Sequence, residues 1–135
     1  MAIRRLAHYS VRTCDLAAAR RFYEEVLGLR AGPRPPFPFP GCWLYAGDEP
    51  FGTVHLIGGE RDDAAVAAYL GRRVGGAARL DHVAFDASDW PAARARLAAH
   101  GIDYDERRVP LLGQRQIFLT DPDGVPVELT FSERA

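Results

Sequence analysis

The 135-residue chain contains an internal repeat, and this repeat constrains the fold more than any single motif does. His8 and His82 are separated by 82 − 8 = 74 positions, and His55 and Glu128 by 128 − 55 = 73 positions. A helix one residue shorter in the second copy accounts for the difference. The sequence therefore predicts two copies of one structural unit.

The first copy predicts the order strand, helix, strand, strand, strand. Loose alternation of apolar and polar residues over 3–12 is typical of a strand. Asp15 is the expected N-cap of the following helix, and Gly28 its expected end. The three further strands are expected at residues 29–34, 41–46 and 52–57.

The second copy predicts the same order. A strand is expected over 78–87, followed by a helix that Ser88 or Asp89 caps and Gly101 ends. Residues 121–124 have the sequence Asp-Pro-Asp-Gly, which is a strong turn signal between the last two strands. The three later strands are expected at residues 102–108, 114–119 and 125–130.

The predicted fold class is therefore α+β, with two βαβββ modules in one domain that spans residues 1–135. Module 1 covers about 1–58, a linker about 59–77, and module 2 about 78–135. Residues 62–70 of the linker could form a short helix. The length and the apolar fraction of 47% suit a single folded domain.

Composition excludes several classes of function. The net charge is −1 and the basic residues are spread along the chain, so no nucleic-acid footprint is expected. No apolar run is long enough to span a membrane and no apolar signal core opens the chain, which predicts a cytoplasmic protein. Cys14 and Cys42 are expected to be unpaired thiols in that reducing compartment.

Each copy has one metal-capable residue in its first predicted strand and one in its last. These are His8 and His55, and then His82 and Glu128. Strand alternation places Glu128 on the face opposite Val127 and Leu129. A carboxylate in a strand of this kind is costly unless it is paired, hydrogen-bonded or bound to a metal.

The donor types indicate which metals would suit such a site. Two imidazoles and one carboxylate with open positions form the facial arrangement of non-haem Fe(II) oxygenases. A fourth ligand from His55 would leave fewer open positions and would make Zn, Ni or Co more plausible. The alternative is that each residue is an ordinary strand side chain, but four of them at repeat-equivalent positions favour the metal site.

Three stretches of the chain resemble one known family. The run Ala-His-Tyr-Ser-Val at 7–11 resembles the first module of the vicinal oxygen chelate superfamily, and Leu-Asp-His-Val-Ala-Phe at 80–85 its second. Residues 115–129 resemble its closing hairpin and are the most specific part. The superfamily includes glyoxalase I, extradiol dioxygenases, fosfomycin-resistance proteins, methylmalonyl-CoA epimerase and bleomycin-resistance proteins.

This resemblance implies a cup of mixed sheet that carries the metal ligands on its inner strands, and a homodimer is expected. His8, His82 and Glu128 match the His, His and Glu ligands of extradiol dioxygenases. His55 matches the position of an acidic ligand in glyoxalase I and of an amide in the epimerase. Glu128 and His55 are the candidate catalytic groups, with His55 either a fourth ligand or a base.

The resemblance implies a divalent-metal enzyme that chelates a small substrate through adjacent oxygens. An extradiol-dioxygenase-like reaction with Fe(II) or Mn is the first hypothesis, and a glyoxalase-like lyase or isomerase the second. A metal-free binding protein of the bleomycin-resistance type is the third. Tyr45 and Arg115 are candidate substrate contacts, and the proline-rich residues 33–40 form either a lid or a stiff connection.

Overall fold

The computed structural model describes residue 1 and residues 5–59, 64–65, 82–109 and 113–132. The chain divides into two compact units, Met1–Gly75 and Gly76–Ala135. The predicted helix over 62–70 lies outside the described residues, except that residues 64 and 65 are helical. In the described part of the chain, no helix combines the length and the apolar character that crossing a membrane requires.

Unit 1 is a four-stranded sheet with one helix. In the sheet order β1-β4-β3-β2, β1 and β4 are parallel and the other neighbours antiparallel. Its elements are β1 (Tyr9–Arg12), α1 (Leu16–Arg21), a π-helical continuation of α1 (Phe22–Val26), β2 (Arg30–Gly32), β3 (Gly41–Tyr45) and β4 (Val54–Ile57).

The helix of unit 1 begins and ends where the sequence predicts. Asp15 Oδ1 accepts a hydrogen bond from the Ala18 amide at 2.9 Å, and Gly28 follows the helix with a φ of +75°. The helix buries Ala19 and its π-helical continuation buries Tyr23, both 0% exposed. The buried strand residues include Leu44, Val54 and Leu56, which lie on one face of the sheet.

Unit 2 has the same topology. The sheet order is β5-β8-β7-β6, with β5 and β8 parallel and the other neighbours antiparallel. Its elements are β5 (Val83–Ala87), α2 (Trp90–Ala99), β6 (Asp105–Val109), β7 (Gln114–Thr120) and β8 (Pro126–Ser132).

Two aspartates fix the local structure of unit 2. Asp89 caps α2, with Oδ1 accepting from the Ala92 amide at 3.1 Å, and it adopts a left-handed φ of 62°. Asp121 is buried in the predicted turn, where its Oδ1 accepts from the amides of Asp123 and Val125 at 2.9 and 2.8 Å. The hairpin β7–β8 is therefore held at its turn by a side chain.

The strand register repeats between the units, as the sequence spacing predicts. Ser10 pairs with His55 in unit 1, and Ala84 pairs with Glu128 in unit 2. His8 precedes Ser10 by two residues, as His82 precedes Ala84. The predicted α+β class with two βαβββ units is confirmed.

The first strand of each unit is shorter than predicted. β1 begins at Tyr9, which pairs with Val54 at the start of β4, so residues 5–8 have no ladder partner. β5 begins at Val83, and of the residues predicted before it, 78–81 lie outside the described part. The prediction that the two histidines lie within strands was wrong, because His8 and His82 each stand one residue before a strand.

Candidate functional site

Glu128 is a buried carboxylate in the middle of β8. It is 7% exposed, and its neighbours Val127 and Leu129 are also buried on the face that alternation assigns to the core. The register places Ala84 and Phe118 on the two strands beside Glu128. A buried carboxylate is unfavourable unless its oxygens have partners.

The structure supplies those partners. Glu128 Oε1 accepts hydrogen bonds from Gln116 Nε2 at 2.7 Å and from Thr130 Oγ1 at 2.8 Å. Glu128 Oε2 lies 2.8 Å from His82 Nε2. One carboxylate oxygen is therefore held by two neutral donors, while the other faces an imidazole.

The pair formed by His82 and Glu128 fits a metal site chemically. Imidazole nitrogen and carboxylate oxygen bind Zn at about 2.0–2.2 Å, so two ligands at a right angle around an ion stand about 3 Å apart. The 2.8 Å between His82 Nε2 and Glu128 Oε2 is close to that spacing. The two atoms could share a proton without a metal or both bind one ion.

The sequence alone did not single out Gln116 and Thr130, although they orient the carboxylate. Thr130 shares the face of Glu128 because it lies two residues further along β8. Gln116 pairs with Thr130 across the hairpin. The antiparallel register of the hairpin would have identified both residues, and the predicted turn at 121–124 is the signal that sets this register.

In unit 1, three rings form a stack. The His8 and His55 rings are 3.9 Å apart at an interplanar angle of 12°, and the His55 and Trp43 rings 3.9 Å apart at 7°. His55 and Trp43 are paired across β3 and β4, so their side chains point to the same face. His8 is exposed at the outer end of the stack.

His55 is the more constrained of the two histidines in unit 1. Its Nε2 lies 3.1 Å from the Gly52 carbonyl oxygen, so this nitrogen carries the proton when it donates. The pKa of His55 is lowered to about 4, mainly by burial and also by the charge of His8, while the Gly52 hydrogen bond opposes the shift. The ring is therefore neutral near pH 7.

Aromatic side chains continue the surface beside the stack. The Phe37 and Phe39 rings are stacked with centroids 5.3 Å apart, and the Phe37 ring is 6.3 Å from that of Trp43. Phe39 is buried with Ile57, whereas Phe37 is half-buried. Arg34 lies over both phenylalanine rings and donates to the Phe39 carbonyl at 2.8 Å. The proline-rich segment thus packs an aromatic surface next to the histidine pair.

Both predicted substrate contacts have other partners in the structure. Tyr45 is buried, and its hydroxyl donates to the Pro33 carbonyl. Arg115 is adjacent to Gln116 in β7 and therefore faces away from Glu128. Its guanidinium lies 5.4 Å from the centroid of Trp90, at a surface cavity of about 400 Å³.

The predicted ligands thus form two pairs, one in each unit. His8 lies with His55 in unit 1, and His82 with Glu128 in unit 2. Within the residues that the structure describes, no group of three or more His, Cys, Asp or Glu residues is positioned to hold a metal ion.

Two βαβββ units with donors at matching positions define a paired-module α+β protein. The model of the Glyoxalase/Bleomycin resistance protein/Dioxygenase superfamily matches residues 5–129. The chain belongs to this superfamily.

Individual relatives agree with this assignment. The chain is 30% identical to the mitochondrial methylmalonyl-CoA epimerase of Bos taurus over 132 residues, which cover 93% of this chain and 73% of the relative. A glyoxalase family protein from Bacillus anthracis has a TM-score of 0.69 and 21% identity, with 98% of both chains covered. A lactoylglutathione lyase from Agrobacterium tumefaciens has a TM-score of 0.66 and 22% identity, with 96% of this chain and 95% of that chain covered.

Proposed function

We propose that the chain is a divalent-metal-dependent enzyme that binds a small substrate through adjacent oxygen atoms, in a reaction of the extradiol dioxygenase type. The observation that carries this proposal is the buried Glu128, held by Gln116 and Thr130 and facing His82. Membership of the superfamily supports it. A buried and oriented carboxylate beside an imidazole is a pair that suits a metal ion.

In this proposal each ligand has a defined role. His82 and His8 bind as neutral imidazoles, and Glu128 binds through Oε2, because Oε1 already accepts two hydrogen bonds. We also propose that the chain forms a homodimer.

Bound to this site, a divalent ion supplies a Lewis acid and a template for two substrate oxygens. Fe(II) or Mn is favoured, because two imidazoles and one carboxylate leave open positions for the substrate. Zn, Ni or Co would be favoured if His55 were a fourth ligand.

The surface of unit 1 supports an aromatic substrate. Trp43 and Phe37 are half-buried aromatic rings beside the histidine pair. Such aromatic surroundings suit an aromatic substrate better than an aliphatic one. Hydroxyl groups on adjacent carbons of the ring would then supply the two oxygens that bind the ion.

A glyoxalase-like lyase or an isomerase is the second candidate, and the 30% identity with an epimerase favours it. His55 is neutral near pH 7 and therefore has a lone pair that could accept a proton from carbon next to a carbonyl group. The Gly52 carbonyl holds the proton of Nε2, so the accepting atom would be Nδ1.

The first test is the metal content of protein purified anaerobically, measured by mass spectrometry. We expect about one Fe or Mn per chain, and its loss in His8→Ala and Glu128→Ala. Stoichiometric Zn, Ni or Co would favour the lyase or isomerase. A wild-type chain that takes up none of these ions on reconstitution would contradict the proposal and favour a metal-free binding protein.

The second test separates the two reactions. Catechols with different substituents are offered to the metal-loaded protein while oxygen uptake and ring cleavage are recorded. In parallel, 2-methyl thioesters are incubated in deuterium oxide, and exchange at the carbon next to the carbonyl is followed by NMR. Oxygen uptake without exchange supports the dioxygenase, and exchange without oxygen uptake supports the isomerase.

A further inference from the structure

We propose that His55 is a positioning residue, which holds the His8 imidazole by stacking against it and does not itself bind the metal. This inference rests on the proposed metal site and deepens it. It predicts that two imidazoles and one carboxylate bind the metal, and that His55 acts only by orienting His8.

The stack is incompatible with shared ligation by His8 and His55. An imidazole binds a metal through the nitrogen lone pair, which lies in the plane of the ring. The two rings are 3.9 Å apart and inclined by only 12°, so their planes do not converge within a bond length of about 2.0–2.1 Å. One ion cannot lie in both ring planes, and only one of the two histidines can bind it in this arrangement.

The surroundings of the two rings identify His8 as the ligand. One face of His55 lies against Trp43 at 3.9 Å, the other lies against His8, and its Nε2 is at the Gly52 carbonyl. His55 is also held within β4, whereas His8 precedes β1 and is exposed. The constrained His55 ring is suited to supporting its neighbour, and the exposed His8 ring is suited to presenting a nitrogen to a metal ion.

Gly52 shows how closely the backbone approaches the supporting ring. A Cβ at this position would lie 3.1 Å from His55 Nε2 and 3.2 Å from Trp43 Cε3. Gly52 is buried. Because it has no side chain, its carbonyl can approach the imidazole closely. The two stacking contacts hold the His55 ring on both faces, and the hydrogen bond holds it at Nε2.

The residue type at position 55 agrees with this role. A carboxylate or an amide could bind a metal there, but neither has an aromatic face with which to stack on His8 and Trp43. An imidazole offers two flat faces and a nitrogen for the Gly52 carbonyl at the same time.

Two substitutions at His55 separate the effect of its flat ring from the effect of its nitrogen atoms. His55→Phe keeps a flat ring and removes both nitrogens, whereas His55→Gln keeps polar donor and acceptor atoms and removes the ring. His100→Gln is the matched control, because His100 is exposed at the end of α2. Circular dichroism confirms that each variant is folded.

The first measurement is made without metal. The ring protons of His8 are assigned by NMR in histidine-labelled protein, and the stack is expected to shift them upfield. The shift should persist in His55→Phe and in His100→Gln and disappear in His55→Gln. An unchanged His8 spectrum in a folded His55→Gln would overturn the stacking contact.

The second measurement counts the imidazole ligands after anaerobic loading with Fe(II) or Mn(II). Electron spin-echo modulation for Mn(II), or X-ray absorption for Fe(II), should show two imidazoles in the wild type and also in His55→Phe. His55→Gln should bind the ion about 10- to 100-fold more weakly, as expected when the support of a ligand is lost. Three imidazoles in the wild type would overturn the proposal, and this readout requires no variant.

The two measurements distinguish the possible failures. A wild type that binds neither ion but shows the His8 shift would contradict the proposed function and the positioning role together, and would leave only a structural stack. A wild type that binds the ion through three imidazoles would retain the metal site and contradict this inference alone.

Discussion

The two units place their candidate ligands at matching positions but surround them differently. In unit 1 the residue opposite Ser10 is His55, which is stacked between His8 and Trp43. In unit 2 the residue opposite Ala84 is Glu128, which is hydrogen-bonded on both oxygens. One topology thus holds an aromatic stack in one copy and an imidazole–carboxylate pair in the other.

The difference teaches that the repeat determines where donors stand but not which chemistry they support. Stacking and burial favour the neutral form of His55 and work against a positive charge. The carboxylate beside His82 favours a positive charge, whether from a proton or from a metal ion. We therefore expect positive charge to be disfavoured at His55 in unit 1 and favoured beside Glu128 in unit 2.

The largest effect is expected at Glu128. Glu128→Ala removes the acceptor of Gln116 and Thr130 and one partner of His82, and we expect a loss of about 2 kcal/mol in the free energy of unfolding. The metal should also be lost, because the change removes a ligand. Urea denaturation and metal analysis of the same sample measure both effects.

Glu106→Ala is the control for this substitution. Glu106 is an exposed carboxylate in β6 of the same unit, paired with Arg94 at 2.8 Å. The loss of a surface ion pair should change stability by less than about 1 kcal/mol and leave the metal content unchanged. Equal effects of the two substitutions would mean that the burial of Glu128 has no special role.

The matching positions of the donors in the two units could be predicted from sequence, because they depend on the spacing of residues along the chain. The separations of 74 and 73 residues gave the matching topology, and alternation gave the face of Glu128. The start of each first strand could not be predicted, because it depends on where the partner strand begins. Tyr9 is the first residue of β1 because it pairs with Val54, the first residue of β4.

Other features required the three-dimensional register. The stack of His8, His55 and Trp43 depends on pairing between strands that are distant in sequence, and alternation alone does not give that pairing. The π-helical continuation of α1 could not be predicted either, because its apolar residues follow the pattern that predicts an ordinary helix. Arg115 was selected for its position near a candidate inner strand, but the register turns it to the other face.

The next effect concerns the orientation of Glu128. Gln116→Ala removes the 2.7 Å hydrogen bond to Oε1 and should weaken metal binding about 10- to 100-fold without removing a ligand. Gln114→Ala is the matched control, because Gln114 is the same residue type two positions earlier on the same face of β7. Calorimetric titration with Mn(II) compares the two, and equal affinities would show that Gln116 does not orient the carboxylate.

A smaller effect is expected at Gly52 in unit 1. Gly52→Ala introduces a methyl group 3.1 Å from His55 Nε2 and 3.2 Å from Trp43 Cε3, so the rings must shift. We expect a loss of about 1 kcal/mol in stability, at the low end of the cost of overpacking. The upfield shift of the His8 ring protons should also decrease. An unchanged His8 spectrum would mean that the stack can move as a unit to accommodate the methyl group.

The smallest effect is a pH dependence in unit 1. The pKa of His55 is lowered to about 4 in the folded chain from 6.5 in the unfolded chain, so between these values the unfolded chain binds more protons. His55 therefore contributes stability that is fully present above about pH 6.5 and is lost as the pH falls through about 4. Solvent screening keeps the contribution small, because the ring is only half-buried.

NMR titration of the metal-free protein measures this pKa directly. Trp43→Leu removes one stacked face and exposes the ring, and it should move the pKa of His55 upward toward 6.5 because desolvation is the largest cause of the shift. A wild-type His55 that titrates near 6.5 would show that the stack does not exclude water. The contrast between a stacked, neutral His55 in unit 1 and an imidazole–carboxylate pair in unit 2 would then have to be abandoned.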